Sequence, residues 1–219
     1  MTLLPLFPLN TVLFPRMPIS LHIFEDRYKL MIGRCVAERK PFGVVLLEQG
    51  TAEHYPGQQV VPYTIGCTAH ITQVQQAGEG RLNIVAFGHE RFQVLAFDHS
   101  QPYLMGTVEI MPFSMNDLAA FAESARQLRP LIVRYVSMVS RSQDEKFDAN
   151  LLPEDPVQLA YLAAALLRTS TDDKQKILDA SDAAAMLDDL AASYRRENSL
   201  LGVFDNLPPH DSDYPFSLN

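Results

Sequence analysis

Cysteine is scarce, glycine almost vanishes from the second half, and no long apolar run occurs anywhere in the 219 residues. Cys35 and Cys67 make neither a disulfide framework nor a metal-ligand spacing. Each sits in an apolar pattern that suits a small core residue. No window reaches the roughly 18 uninterrupted apolar residues of a membrane span. The N-terminus has no basic stretch ahead of its apolar one, and prolines break that run, so no secretory signal and a cytoplasmic location are expected.

Several kinds of chemistry are missing as well. A phosphate-gripping loop needs glycines leading into Lys and then Ser or Thr. None of Lys29, Lys40, Lys146, Lys174 and Lys176 follows glycine or precedes Ser or Thr. No Gly-x-Ser-x-Gly elbow is present, which removes the usual hydrolase nucleophile turn. His89-Glu90 starts like a zinc-protease helix, but the second histidine would fall on Gln93, and the surrounding pattern is that of a strand. His22, His54, His70, His99 and His210 show no ligand spacing either. The expectation is no catalytic residue, no metal and no cofactor.

What is present describes an ordinary globular chain: 47% hydrophobic and 20% charged residues, long enough for one large or two small domains. The net charge of −8 opposes a phosphate-tracking surface, so nucleic acid is not the expected partner. Residues 1–112 carry a net charge of −1 and residues 113–219 a net charge of −7, and only Gly202 lies beyond Gly106. The chain changes character near Pro112.

Before that point the sequence reads as short strands. Phe42 to Glu48, Tyr63 to Gln76, Leu82 to Ser100 and Tyr103 to Phe113 are rich in β-branched and aromatic residues and bounded by turn formers. Gly78 and Gly80 suit a hairpin tip, and Gly88 marks a bulge or a close backbone approach. One helix interrupts them from Glu25 to Lys40, with Tyr28, Met31, Ile32, Cys35 and Val36 on one stripe. After Pro112 the pattern is helical. Asn116 caps a helix from Asp117 to about Arg141 that Pro130 must kink or divide, and Asp155 caps one from Pro156 to about Arg168. A third runs from Asp172 to Asp179 behind Thr171. A fourth starts at Ser181 or Asp182, with Ala185, Leu187, Leu190, Ala191 and Tyr194 inside. The expected division is 1–112, 113–204, and an extended or disordered tail over 205–219.

The opening stretch threads Pro5, Pro8, Pro15 and Pro18 through core-like residues. Such prolines suit strand edges, turns and crossing segments, where a missing N–H breaks no ladder bond. The same stretch carries a resemblance. Pro5 to Leu9 and Val12 to Pro15, then Leu21, Ile23, Phe24, Glu25, Arg27 and Tyr28, look like the start of the Lon N-terminal domain, the substrate-recognition part of ATP-dependent Lon proteases. The similarity continues through Phe42 to Glu48, Ile65 to Ile71, Gly80 to Val94 and Lys174 to Glu197.

The resemblance implies an α+β fold in which a PUA-like β-barrel with one long helix precedes a C-terminal helical bundle. It also implies a free-standing, non-catalytic recognition module without the ATPase and protease modules. Its expected ligand is an unfolded polypeptide segment or a protein partner, with homo-oligomerisation left open. The residues assigned to polypeptide binding are Phe14, Arg16, Met17, Phe24, Arg27 and Tyr28. An RNA-binding PUA-like module and a small-molecule enzyme with an unrecognised site are the alternatives. The best RNA candidates, Arg81 and Arg91 with Phe92, read more plainly as hairpin arginines beside a core aromatic. An apolar tail cluster of Tyr214, Pro215, Phe216 and Leu218 could dock on the protein's own groove, although an inert end is the simpler expectation.

Overall fold

A computed structural model describes residues 1–49, 61–112, 118–141, 148–180 and 182–205. Asn116, Ser181, His54, His210 and the apolar tail cluster lie outside these residues. The elements in chain order are β1 (Thr2–Leu9), β2 (Pro18–Ile23), α1 (Asp26–Glu38), β3 (Phe42–Gln49), β4 (Val61–Gln76), β5 (Leu82–Asp98) and β6 (Met105–Ile110). They are followed by α2 (Leu118–Arg141), a single 3-10 turn (Ala149–Leu151), α3 (Pro156–Leu166), α4 (Thr171–Asp179) and α5 (Ala183–Asp205). The fold is α+β.

The six strands form one mixed sheet in the order β2-β5-β4-β3-β1-β6, and β6 also pairs with β5, so the ladder returns on itself. The prolines of β1 fit this arrangement. Thr2 to Pro5 pair with β6 on one side, and Leu6 to Leu9 pair with β3 on the other. In the strand register each half of β1 therefore has one neighbour, and Pro5 and Pro8 each stand beside an unpaired edge.

The β4–β5 hairpin turns at Gly78 (φ 60°), Glu79 (φ 49°) and Gly80 (φ 70°), as the two glycines predict. Gly88 meets both expectations placed on it. His89 and Glu90 together oppose Thr68, because Cys67 pairs with Arg91 while Ala69 pairs with Gly88. Thr68 Oγ1 accepts from Glu90 N at 3.0 Å, which ties down the bulge.

Helix α1 buries Tyr28, Met31, Ile32 and Cys35, whereas Val36, placed on the same stripe from sequence, is 43% exposed. The helix ends in a left-handed residue, Arg39 at φ 52°, whose N–H and that of Lys40 return to the carbonyls of Val36 and Cys35. Its buried face packs with Phe7, Ile23, Phe42, Cys67 and Ile84 in one core, and Leu4, Leu6, Val45, Phe92, Val94 and Val108 form a second.

The remaining helices share a third core. Pro130 lies inside a continuous α2 and does not divide it. Asp155 caps α3 by accepting from Gln158 N. Ser170, not Thr171, caps α4, accepting from Asp173 N, because helical geometry begins at Thr171 itself. Asp182 Oδ1 accepts from Ala185 N at the start of α5. The inner face of α5 differs slightly from the expected one: Met186 and Asn198 are buried, while Ala185 and Ala191 are only partly so.

Candidate functional site

The six residues assigned from sequence fall on one short path from the crossing segment into α1. Pro15 and Arg16 occupy the middle of a turn closed by Met17 N donating to Phe14 O at 3.2 Å. Pro15 suits its position because its φ is preset, and Arg16 at φ 65° occupies the place that such a turn normally gives to glycine. The turn rests against the sheet: Arg16 N donates to Gly88 O at 2.8 Å, and Gly88 N to Met17 O at 2.9 Å. A Cβ at Gly88 would collide with the Phe14 carbonyl oxygen, so this approach requires glycine.

The structure separates the six. Phe14 is 1% exposed and reaches across to the helical core, 6.4 Å from the Tyr161 ring. Tyr28 is 5% exposed and stacked on Phe7 at 4.0 Å. Burial pushes its hydroxyl up to about 12. These two shape the surface from beneath. Met17 is partly buried against both the helical and the α1 cores. Arg27 is held over the Tyr28 ring at 4.4 Å and donates from Nε to Glu25 Oε2 at 2.8 Å. Arg16 and Phe24 face solvent. Phe24 is 51% exposed and stacks on His22, whose Nδ1 donates to Asn83 Oδ1 at 2.7 Å.

The solvent face of this corner contains a residue missed from sequence. Pro18 pairs with Phe87 and His22 with Asn83, so these side chains share a face with Ser20 and Phe24. Phe87 is 42% exposed. Its parity is hidden in the sequence because the bulge at His89 and Glu90 shifts the alternation of β5. Arg81 pairs with Glu79, and Phe92 is fully buried, in keeping with the plainer reading of those residues.

Titratable groups elsewhere are built for structure. Burial pushes the Cys67 thiol up to about 12 and Cys35 to about 11, so both are protonated near neutrality and unsuited to nucleophilic work. His70 and His89 meet edge to face at 5.1 Å, and burial followed by the neighbouring ring holds His70 below its ordinary value. Among the described residues no group of three or more His, Cys, Asp or Glu is placed to hold a metal. No described helix is long and apolar enough to cross a membrane. A cleft of about 630 Å³ lies between β1, α1 and the β5–β6 connection, where Arg34 donates to the Tyr103 hydroxyl at 2.9 Å and to Gln101 Oε1 at 3.1 Å.

This α+β fold belongs to a known class of domain. The solved Lon N-terminal domain protein of Xanthomonas campestris matches with a TM-score of 0.63 and 25% identity over 88% of this chain and 98% of its own. The N-terminal domain of the Mycobacterium avium complex Lon protease has the same fold, with a TM-score of 0.67 and 18% identity over 89% of this chain and 98% of its own. The profile of the ATP-dependent protease La (LON) substrate-binding domain matches residues 3–192, and the chain belongs to that family. Lon protease 2 of Herpetosiphon aurantiacus is 27% identical over 90% of this chain and 24% of its own length. Lon protease of Koribacter versatilis is 27% identical over 89% of this chain and 24% of its own length. The chain thus spans about a quarter of the Lon proteases it matches.

Proposed function

We propose that this chain is a non-catalytic recognition module for polypeptide, binding unfolded protein segments or an exposed segment of a protein partner. The observation that carries the reading is membership of the substrate-binding domain family over residues 3–192. The proposed surface is the corner where the crossing segment, β2 and the start of α1 meet. Phe24 and Phe87 supply exposed apolar area there, and Arg16 sets orientation from its left-handed turn. Arg27 braces the corner, and Phe14, Met17 and Tyr28 support it from within.

The same reading takes the closed ladder of residues 1–112 as a PUA-like barrel and residues 113–204 as a helical bundle, with the protein acting in the cytoplasm. The distribution of the cores supports this division, since the helical residues cluster apart from the two sheet cores and, among the described residues, Phe14 is the buried apolar residue of the first half that joins them. The test is fluorescence anisotropy of a labelled, permanently unfolded apolar-rich polypeptide titrated with the protein at low and moderate salt. Saturable binding that survives the salt increase is expected, because apolar contacts are not screened. Binding lost with salt, or absent at both, overturns the reading.

A further inference from the structure

We infer that β2 is a docking edge at which an extended polypeptide segment adds to the sheet as one more strand; this rests on the polypeptide-recognition reading above. Pro18–Ile23 pairs with β5 along its length, and among the described residues no other strand pairs with it. In a strand paired on one side, alternate residues direct their N–H and C=O groups away from the partner. A row of alternating donors and acceptors is met in full by another strand, not by a helix or a small molecule.

Three observations point to an edge kept open for use. Edges that must stay unpaired are normally guarded by charged side chains, but Pro-Ile-Ser-Leu-His-Ile contains no Lys, Arg, Asp or Glu. Pro18 blunts the first position only. The core side of the edge is also left incomplete. Ile19 and Leu21 are partly exposed, although their β5 partners Ala86 and Ile84 are 0% and 1% exposed. On the solvent side Ser20 and His22 are exposed and polar, with Phe24 beyond them.

These faces define the ligand. Every second side chain of the added strand lies beside Ile19 and Leu21 and should be apolar, whereas the intervening ones lie beside Ser20 and His22 and can be polar. The recognised segment is extended, about six residues long to match β2, and alternates apolar with polar.

The probe is a capped, labelled heptapeptide of alternating valine and threonine, with two N-methylated forms, one blocked at the valine amides and one at the threonine amides. With the intact protein, the unmodified peptide should bind and slow hydrogen exchange at alternate β2 amides. One methylated form, which loses the bonds to the edge, should bind about tenfold more weakly than the other. Equal binding of the two forms, or binding without protection of β2, overturns this inference and leaves polypeptide recognition standing. So does failure of the heptapeptide when the unfolded apolar-rich polypeptide still binds. Protection of β2 that grows with protein concentration alone would assign the edge to a second copy and overturn it too. If neither peptide nor polypeptide binds, both readings fall.

Discussion

In the sheet half of the molecule the backbone pairs mostly with neighbouring strands, and small residues let the interior close. Gly43 and Gly66 stand where a Cβ would press on Phe92, and Gly106 where it would press on Leu6. In the helical half the helix ends need side chains instead. Asp155, Ser170 and Asp182 serve the N-termini, and Tyr194 donates to Ala163 O at 2.8 Å in the last turn of α3. One of these partners comes from the other half: Arg91 of β5, 2% exposed, donates to Leu178 O at 2.6 Å and to Ala180 O at 2.8 Å at the end of α4. Gln175 of α4 returns the contact by donating to Ile65 O at 3.0 Å. The half that cannot satisfy its own helix ends is thereby tied to the half that can, and Phe14 adds an apolar tie beside the polar one.

The largest expected effect comes from cutting the polar tie. Arg91→Met keeps bulk but strands the buried Leu178 carbonyl, at about 1–3 kcal/mol, and the part-buried Ala180 carbonyl, at about 1 kcal/mol, so we expect a loss of about 2–4 kcal/mol in urea unfolding. Hydrogen exchange should then show the helical half opening at lower cost than the sheet half. A loss below about 1 kcal/mol, within the range of an ordinary exposed substitution, would mean that apolar packing alone joins the halves. Gly88→Ala tests the apolar tie. Its Cβ collides with the Phe14 carbonyl and comes within 3.1 Å of Cys67 Sγ, so the turn that delivers Phe14 must move, at about 1–3 kcal/mol. Unchanged stability would show that the turn can shift freely.

Much of this division was legible in the sequence because its signals are local. The hairpin glycines, the Asp155 cap with Pro156 behind it, and the stripe from Tyr28 to Cys35 each depend on a few neighbouring residues. The ties between halves are not local: the Arg91 contacts span 87 and 89 residues, and nothing near Phe14 assigns it to the helical core. Of the six residues assigned to the candidate site, Arg16 and Phe24 face solvent, whereas Phe14 and Tyr28 are buried. Phe24 is exposed because α1 starts two residues after it, which leaves Tyr28 as the first aromatic turned inward. Phe87 escaped because a bulge changes the parity of its strand.

Alkaline titration sharpens the comparison by a smaller amount. The Cys67 thiol is raised from 9.0 to about 12 by burial, and Cys35 is raised in the same direction. A raised folded value means that the native state holds its proton more tightly. The contribution is therefore full below pH 9 and is lost as pH climbs toward 12, by about 1.4 kcal/mol per pH unit for one group. Tyr161 and Tyr194 of the helical half, raised by burial as well, add their loss only above pH 10. Cys67→Ala should flatten the decline in urea stability between pH 9 and 10. An unchanged slope there would show that the Cys67 thiol is not the source of the alkaline weakness.

The smallest effects on stability belong at the proposed surface, where the two halves place little of their packing. Arg16→Gly relieves a left-handed φ and gives back part of the gain through a more flexible unfolded chain, so we expect stabilisation of about 0.5 kcal/mol. A destabilised variant would show that the Arg16 side chain holds the turn. Phe24→Ala removes a ring that is half in water, has the His22 ring as its aromatic contact and belongs to none of the three cores. Its stability should change by no more than about 0.5 kcal/mol, while affinity for the unfolded polypeptide falls several-fold through lost apolar contact. If Phe24→Ala instead lost stability and kept affinity, the exposed ring would be part of the packing that β2 and α1 share, and the recognition surface would have to be sought elsewhere.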